Sequence, residues 1–180
     1  ALLETYPDHP QRAEAQYGLG VAEQEAGQFV KAAATLEKFA AEFPDHASTA
    51  DARVRRAESL LAAGEGYLAV GRANDALDVL TAAAALPRWS RSDAVLLALA
   101  DAEHGAGRPR DAVATVDRLI AEHAESGLLD RAYQRRAESN GACDDGSAAV
   151  ADYGTLVERW PQSALVPAAL VARARAQLKL

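Results

Sequence analysis

This chain of 180 residues is poor in the groups that carry covalent, redox or nucleic-acid chemistry. Cys143 is its single cysteine. No internal disulfide can form, which is compatible with an oxidising or a reducing compartment alike. There is no methionine, so Ala1 is not an untrimmed start, and the chain reads as a piece of a longer one from which any signal segment has gone. Lys and Arg number 19 against 26 Asp and Glu, for a net charge of −7. The basic residues fall singly or in pairs such as Arg55-Arg56 and Arg135-Arg136. Phosphate backbones need a clustered basic surface, so a nucleic-acid partner is not expected. No apolar run approaches the roughly 18 residues of a membrane-spanning helix, and no membrane insertion is expected.

Apolar residues are 49% of the chain while aromatics are only 6%, and much of the apolar share is alanine, the strongest helix former. That balance points to an all-α protein. Internal repetition then organises it. Tyr6-Pro7-Asp8-His9 returns as Phe43-Pro44-Asp45-His46, a period of 37 residues, and Arg55-Arg56-Ala57-Glu58-Ser59 returns at Arg135 to Ser139. Within a unit the apolar positions are helical: Ala15, Leu19, Ala22 and Ala26 make one stripe, and Ala32, Ala33, Leu36, Phe39, Ala40 and Phe43 another. Gly27 separates them, as Gly71 and Gly107 do later, where a reversal calls for positive φ. Pro44, Pro87 and Pro161 end the second helices. Ser48, Thr49, Ser90, Ser92, Ser126 and Ser163 stand where first helices begin and are expected N-caps.

The expected segmentation is a run of antiparallel helix pairs. Residues 1–9 are the end of a preceding unit, and the first complete unit, 12–46, pairs 12–27 with 28–43. A second, 49–87, pairs 49–71 with 72–86 and carries about seven extra residues, 65–71. The third, 92–125, pairs 92–107 with 109–125; the fourth, 128–161, pairs 128–142 with 147–160; and 165–180 is the first helix of a truncated unit. Seven residues are about two helical turns, so the insertion either lengthens the first helix, projecting Tyr67 beyond the stack, or forms a longer loop.

The unit at residues 13–46 resembles the tetratricopeptide repeat. Leu19-Gly20 match its small-residue crossing, Gly27 its turn, Phe29 the bulky residue after it, Ala32 the small residue of the second helix and Pro44 the terminator. In later units Ala57, Ala100 and Ala137 replace Gly20, and Ala76, Ala112 and Ala149 align with Ala32. The resemblance implies a right-handed α-α superhelix of stacked hairpins. Phe39-x3-Phe43-Pro44 in a 37-residue period is similar to the bacterial-envelope subtype of the Tol-Pal system coordinator and the outer-membrane assembly lipoproteins, which implies a periplasmic or envelope setting.

By the same resemblance the first helices line a concave face that holds a protein or peptide. Its positions are Glu14, Tyr17, Val21, Gln24 and Glu25 in the first unit, and Asp51, Val54, Glu58 and Leu61 in the second. Ala94, Leu97, Asp101 and His104 follow in the third, and Arg131, Gln134 and Glu138 in the fourth. The acids outnumber Arg131, so a basic or neutral segment with apolar anchors is the expected partner. Tyr17, Val54, Leu61 and Leu97 would supply the anchoring contacts. The paired Lys and Asn clamp of chaperone-binding members is missing, which argues against an acidic C-terminal peptide.

No catalytic residue, cofactor or metal site is expected. Gly64-Glu65-Gly66 lacks the Gly-Lys-Ser/Thr ending of a phosphate loop and follows a helix rather than a strand. His9 and His46 fall in successive turns, and Glu103-His104 and Glu122, His123, Glu125 read as solvated helix faces with no nucleophile converging on them. Asp144 and Asp145 beside Cys143 disfavour a thiolate. The expected function is a non-catalytic interaction scaffold. A spacer that self-associates weakly through its ends, with Leu165, Leu170, Val171 and Leu178 exposed, and a regulatory arm of an enzyme whose catalytic domain lies elsewhere, are the alternatives.

Overall fold

A computed structural model describes residues 9–87 and 89–180; the expected helix end at 1–8 lies outside them. Among the described residues the chain is helix and turn, without a strand. The helices, here α1 to α9, are Arg12–Glu25, Phe29–Glu42, Thr49–Ala69, Ala73–Ala84, Ser92–Gly105, Pro109–Glu122, Leu129–Ala142, Gly146–Arg159 and Val166–Gln177. Each packs on the next in chain order, and the odd-numbered first helices also touch one another, α1 with α3, α3 with α5 and α5 with α7. A row of hairpins whose first helices approach one another curves around them. The result is an α-solenoid.

The hairpin turns share one physical device. Gly27, Gly71 and Gly107 have φ of +72°, +74° and +75°. The N–H after each reaches back to a carbonyl of the last helical turn, as from Gln28 to Glu23 at 2.9 Å and from Arg108 to Glu103 at 2.8 Å. This closes the helix end with one left-handed residue. In the fourth unit Asp144 takes that place at φ 61°, and Asp145 donates to the Asn140 carbonyl at 2.9 Å. A side chain at positive φ costs about 1 kcal/mol, of which the greater unfolded-chain freedom of glycine returns about half. Asp144→Gly is therefore expected to raise the stability of the fourth hairpin by about 0.5 kcal/mol, read as a shift in urea midpoint.

The serines do something other than cap. Ser126 and Ser163 stand two residues before the N-caps Leu128 and Leu165, accept their N–H groups at 3.1 and 3.2 Å, and donate to Asp93 and Asp130 at 2.6 Å in the preceding first helix. His9 and His46 accept through Nδ1 from Gln11 and Ser48 in the same way, at 3.1 Å. Ser48 is an N-cap without a side-chain bond, Thr49 donates to the Phe43 carbonyl at 2.5 Å, and Ser92 bonds the main chain of Trp89. These side chains tie one unit to the next. A side-chain cap does form at α8, where Asp145 accepts from Ala148 at 2.9 Å.

Of the extra residues of the second unit, 65–69 are helical and Val70 and Gly71 make the turn. The helical ones make α3 21 residues long where α1, α5 and α7 have 14. Tyr67 does not project: it is half-buried against the core around Leu61 and Leu80, with Arg72 stacked 4.8 Å above its ring. The lengthening also moves the helix crossing. A Cβ on Gly20 would lie 2.8 Å from Leu36, and one on Gly64 would lie 2.4 Å from Leu80. Gly64, not Ala57, is thus the counterpart of Gly20, because two turns were added before the reversal and the second helix moved with it.

Candidate functional site: the inner face of the first helices

Side chains along the inner face bond chiefly to one another. Tyr17 donates its hydroxyl to Asp51, whose carboxylate also binds Arg55 at 2.7 Å. Arg55 reaches back to Gln24 at 2.9 Å, and Gln24 lies 3.5 Å from Glu58. The hydrogen bond from Tyr17 lowers the Asp51 carboxyl below its usual range and holds the Tyr17 phenol above its own. Arg135 binds Asp101 and Glu138 at 2.6 Å, and Gln134 donates to Glu138 at 2.9 Å. His104 meets the fully buried Ser139 at 2.9 Å through Nδ1. Burial and the nearby Arg135 push its imidazole below its usual pKa, toward the neutral form.

The structure accordingly redistributes the expected site. Leu61 and Leu97 are 0% and 3% exposed. They belong to the cores between helices; Leu61 cannot serve as an anchor, and Leu97 offers a ligand no more than its edge in a cleft floor. Tyr17 packs on Phe39 with ring centroids 5.5 Å apart and holds the stack together. Glu14, Glu25, Asp51, Val54 and Arg131 are exposed, and Val21, Gln24, Glu58, Ala94, Asp101, His104, Gln134 and Glu138 are partly so. Sequence reasoning missed Arg55 and Arg135, which neutralise the acids it counted. Their recurrence eighty residues apart was the available signal.

The repeated pentad is a clamp between units. Its first arginine works on the inner face, and its second turns to the outer helices: Arg56 binds Glu37 at 2.6 Å, and Arg136 binds Asp117 at 2.5 Å. Arg136 also grips Asp152 through two bonds of 2.5 and 3.0 Å, and Asn140 donates to the same carboxylate at 3.0 Å. Burial opposes the charge on Arg136, yet the bonds to Asp152 and Asp117 outweigh it and raise its pKa.

What remains open on the inner face is a cleft of about 690 Å³ between α3, α5 and the start of α7. The added turns of α3 are one wall, with Glu65, Leu68 and Ala69; Ala94, Leu97 and Ala98 form the floor; Leu128 and Arg131 close the far side. Glu65, Asp93 and Asp101 face Arg91 and Arg131 around the rim, so the charge nearly balances. A smaller cleft of about 140 Å³ continues it past Gln134 to Leu165. Among the described residues no group of His, Cys, Asp or Glu has the geometry to hold a metal ion, and no helix is long and apolar enough to cross a membrane.

Comparison with known proteins agrees with this geometry. Residues 14–46 match the tetratricopeptide repeat family. The matched stretch is most of the first complete unit. Solved structures resemble the array over two thirds or more of its length. One is a putative kinesin light chain from Podosopora anserina with nearly identical tetratricopeptide-like repeats, at 22% identity and TM-score 0.57, covering 94% of this chain and 87% of that one. A second is MamA, at 18% identity and TM-score 0.58, covering 93% and 87%. A third is PcrH in complex with the chaperone binding region of PopB, at 18% identity and TM-score 0.54, covering 69% and 94%. At these identities the likeness establishes a tetratricopeptide-like solenoid. No curated protein sequence matches the chain.

Proposed function

We propose that this solenoid is a non-catalytic scaffold that holds an extended or helical segment of a partner protein in the cleft between α3, α5 and α7. The observation that carries the reading is the cleft itself: an apolar floor inside a nearly balanced ring of charge, on a face where many of the other polar groups bond one another. Such a ring orients a segment while the floor supplies affinity. PcrH, a structural neighbour, was solved with a binding region of PopB, which supports a segment as the kind of ligand. The favoured partner is neutral or mildly basic with apolar anchors. A periplasmic or envelope setting is proposed on the resemblance of the 37-residue period alone, and fractionation of the source cells would test it.

The test is selection of displayed peptides on the 180-residue chain, followed by surface plasmon resonance on variants. Ala94→Trp, which fills the cleft, and Ala69→Glu, which charges its wall, should each weaken the selected peptides about tenfold or more. Undiminished affinity in both would move the binding site off this face.

The exposed side of α9 favours self-association as a second property. Leu170, Val171 and Leu178 are 48%, 51% and 89% exposed, whereas Leu165 packs on the core beside Tyr153. A contiguous apolar stripe of this kind seeks cover. Sedimentation velocity should show a weak, concentration-dependent dimer that Val171→Lys abolishes; a monomer throughout the millimolar range would remove the proposal.

A further inference from the structure

A second cavity, of about 550 Å³, opens between the end of α2, the first turns of α3 and the connection leaving α4. Its origin is a mismatch in length. At 1.5 Å per residue α3 is about 31 Å long and α4 about 18 Å, and α4 is displaced toward the lengthened end. The opening turns of α3 are left without the hairpin partner that covers them elsewhere.

The other units show what belongs there. The fifth residue of each first helix lies under the last turns of its own second helix. Gln16 and Leu96 are 3% and 2% exposed, and Tyr133 stacks against Trp160 with centroids 5.5 Å apart. The same position in the second unit is Arg53, which is exposed and makes no ion pair among the described residues. Phe43, His123 and Trp160 close the second helices of the other units, and Pro87 stands in their place here. The cavity thus has the shape of two missing helical turns, walled by Ala40, Ala41, Ala50, Val54, Leu86 and Trp89.

The chemistry of the missing turns is also visible. In the first unit Gln16, with its amide oriented to satisfy both neighbours, donates to Glu42 at 3.2 Å, and Phe39 and Phe43 fill the space beside it. Glu42 has no counterpart in the second unit to meet Arg53, and Glu37, on the cavity wall, is already paired with Arg56.

We propose that this cavity is a docking site for an amphipathic helical segment of a partner protein, with an aromatic anchor against Trp89 and Val54 and a carboxylate on Arg53. It is separate from the inner cleft and takes a segment of opposite charge preference. Because the segment would complete a hairpin, it adopts the antiparallel direction of the turns it replaces.

The probe is a stapled helical octapeptide with the sequence of residues 36–43, which supplies Phe39, Phe43 and Glu42, titrated into the 180-residue chain. Expected is saturable binding with a change in Trp89 emission, about tenfold weaker in Arg53→Glu and lost when Ala50→Trp fills the cavity. Arg131→Glu, in the inner cleft, should leave it unchanged. A peptide carrying lysine at the place of Glu42, with Glu37 kept, should prefer Arg53→Glu over the parent chain. Equal affinity for the parent chain, Arg53→Glu and Ala50→Trp would overturn the proposal, as would dependence on Arg131 or a preference of the parent chain for the lysine peptide. Arg53 is an exposed side chain, so Arg53→Glu stays folded and keeps the test decisive.

Discussion

Replacing Arg136 with methionine is expected to destabilise the fourth unit by about 3 kcal/mol, the usual consequence of removing one member of a buried ion pair. Asp152 has a side chain only 8% exposed, and it would keep one neutral donor, Asn140. A carboxylate cannot stay charged there without cost, and protonating it at neutral pH costs as well. Removing both partners together, in Arg136→Met with Asp152→Leu, should recover most of the loss, because no uncompensated charge remains. The equivalent change at Arg56 should cost less than about 1 kcal/mol, since Glu37 is 57% exposed. Urea melts of the four proteins check this, with hydrogen exchange locating the loss in α7 and α8. Equal effects at Arg56 and Arg136 would mean that burial does not set the strength of the clamp.

The second large effect is expected at Gly64. Its added Cβ would sit 2.4 Å from Leu80 Cγ, and Leu80 is fully buried, so the clash cannot be relieved by swinging a free end into solvent. Overpacking costs about 3 kcal/mol here, against a gain of about 1 from helix propensity, leaving Gly64→Ala about 2 kcal/mol less stable. Gly66, two residues on, has nothing within 4 Å of the place a Cβ would take, and Gly66→Ala should stabilise by about 0.5 to 1 kcal/mol. Opposite signs from neighbouring glycines in one helix would establish the crossing. Gly20→Leu should resemble Gly64→Ala and exceed it, by the same contact with Leu36. Thermal melts that move in one direction for both Gly64→Ala and Gly66→Ala would contradict the helix register.

Most of the local architecture was legible because it is governed by short-range rules. Three- and four-residue apolar spacing marks helices whatever they pack against, and proline ends them by geometry. Glycine at a reversal is readable because only glycine takes positive φ without strain. The serines misled for a related reason: a hydroxyl near a helix start looks like a cap, and only the neighbouring unit reveals the aspartate it serves. The inner-face positions were transferable as places but not as roles. Leu61, Leu97 and Tyr17 carry side chains suited to gripping a ligand, and the same side chains are suited to gripping a neighbouring helix.

The sequence by itself determined that this is a helical repeat protein and, among the described residues, where glycine reverses its helices, because those features depend on residues close together in the chain. It also determined that two junctions share one arginine pentad. Tertiary structure decided which arginine of each pair neutralises the inner face and which clamps the outer helices, and that Gly64 rather than Ala57 meets the opposing leucine. It also decided that two added turns of α3 wall one cleft while uncovering another. These depend on distances between residues far apart in the chain, and a seven-residue insertion changes those distances while leaving the helical pattern on either side of it intact.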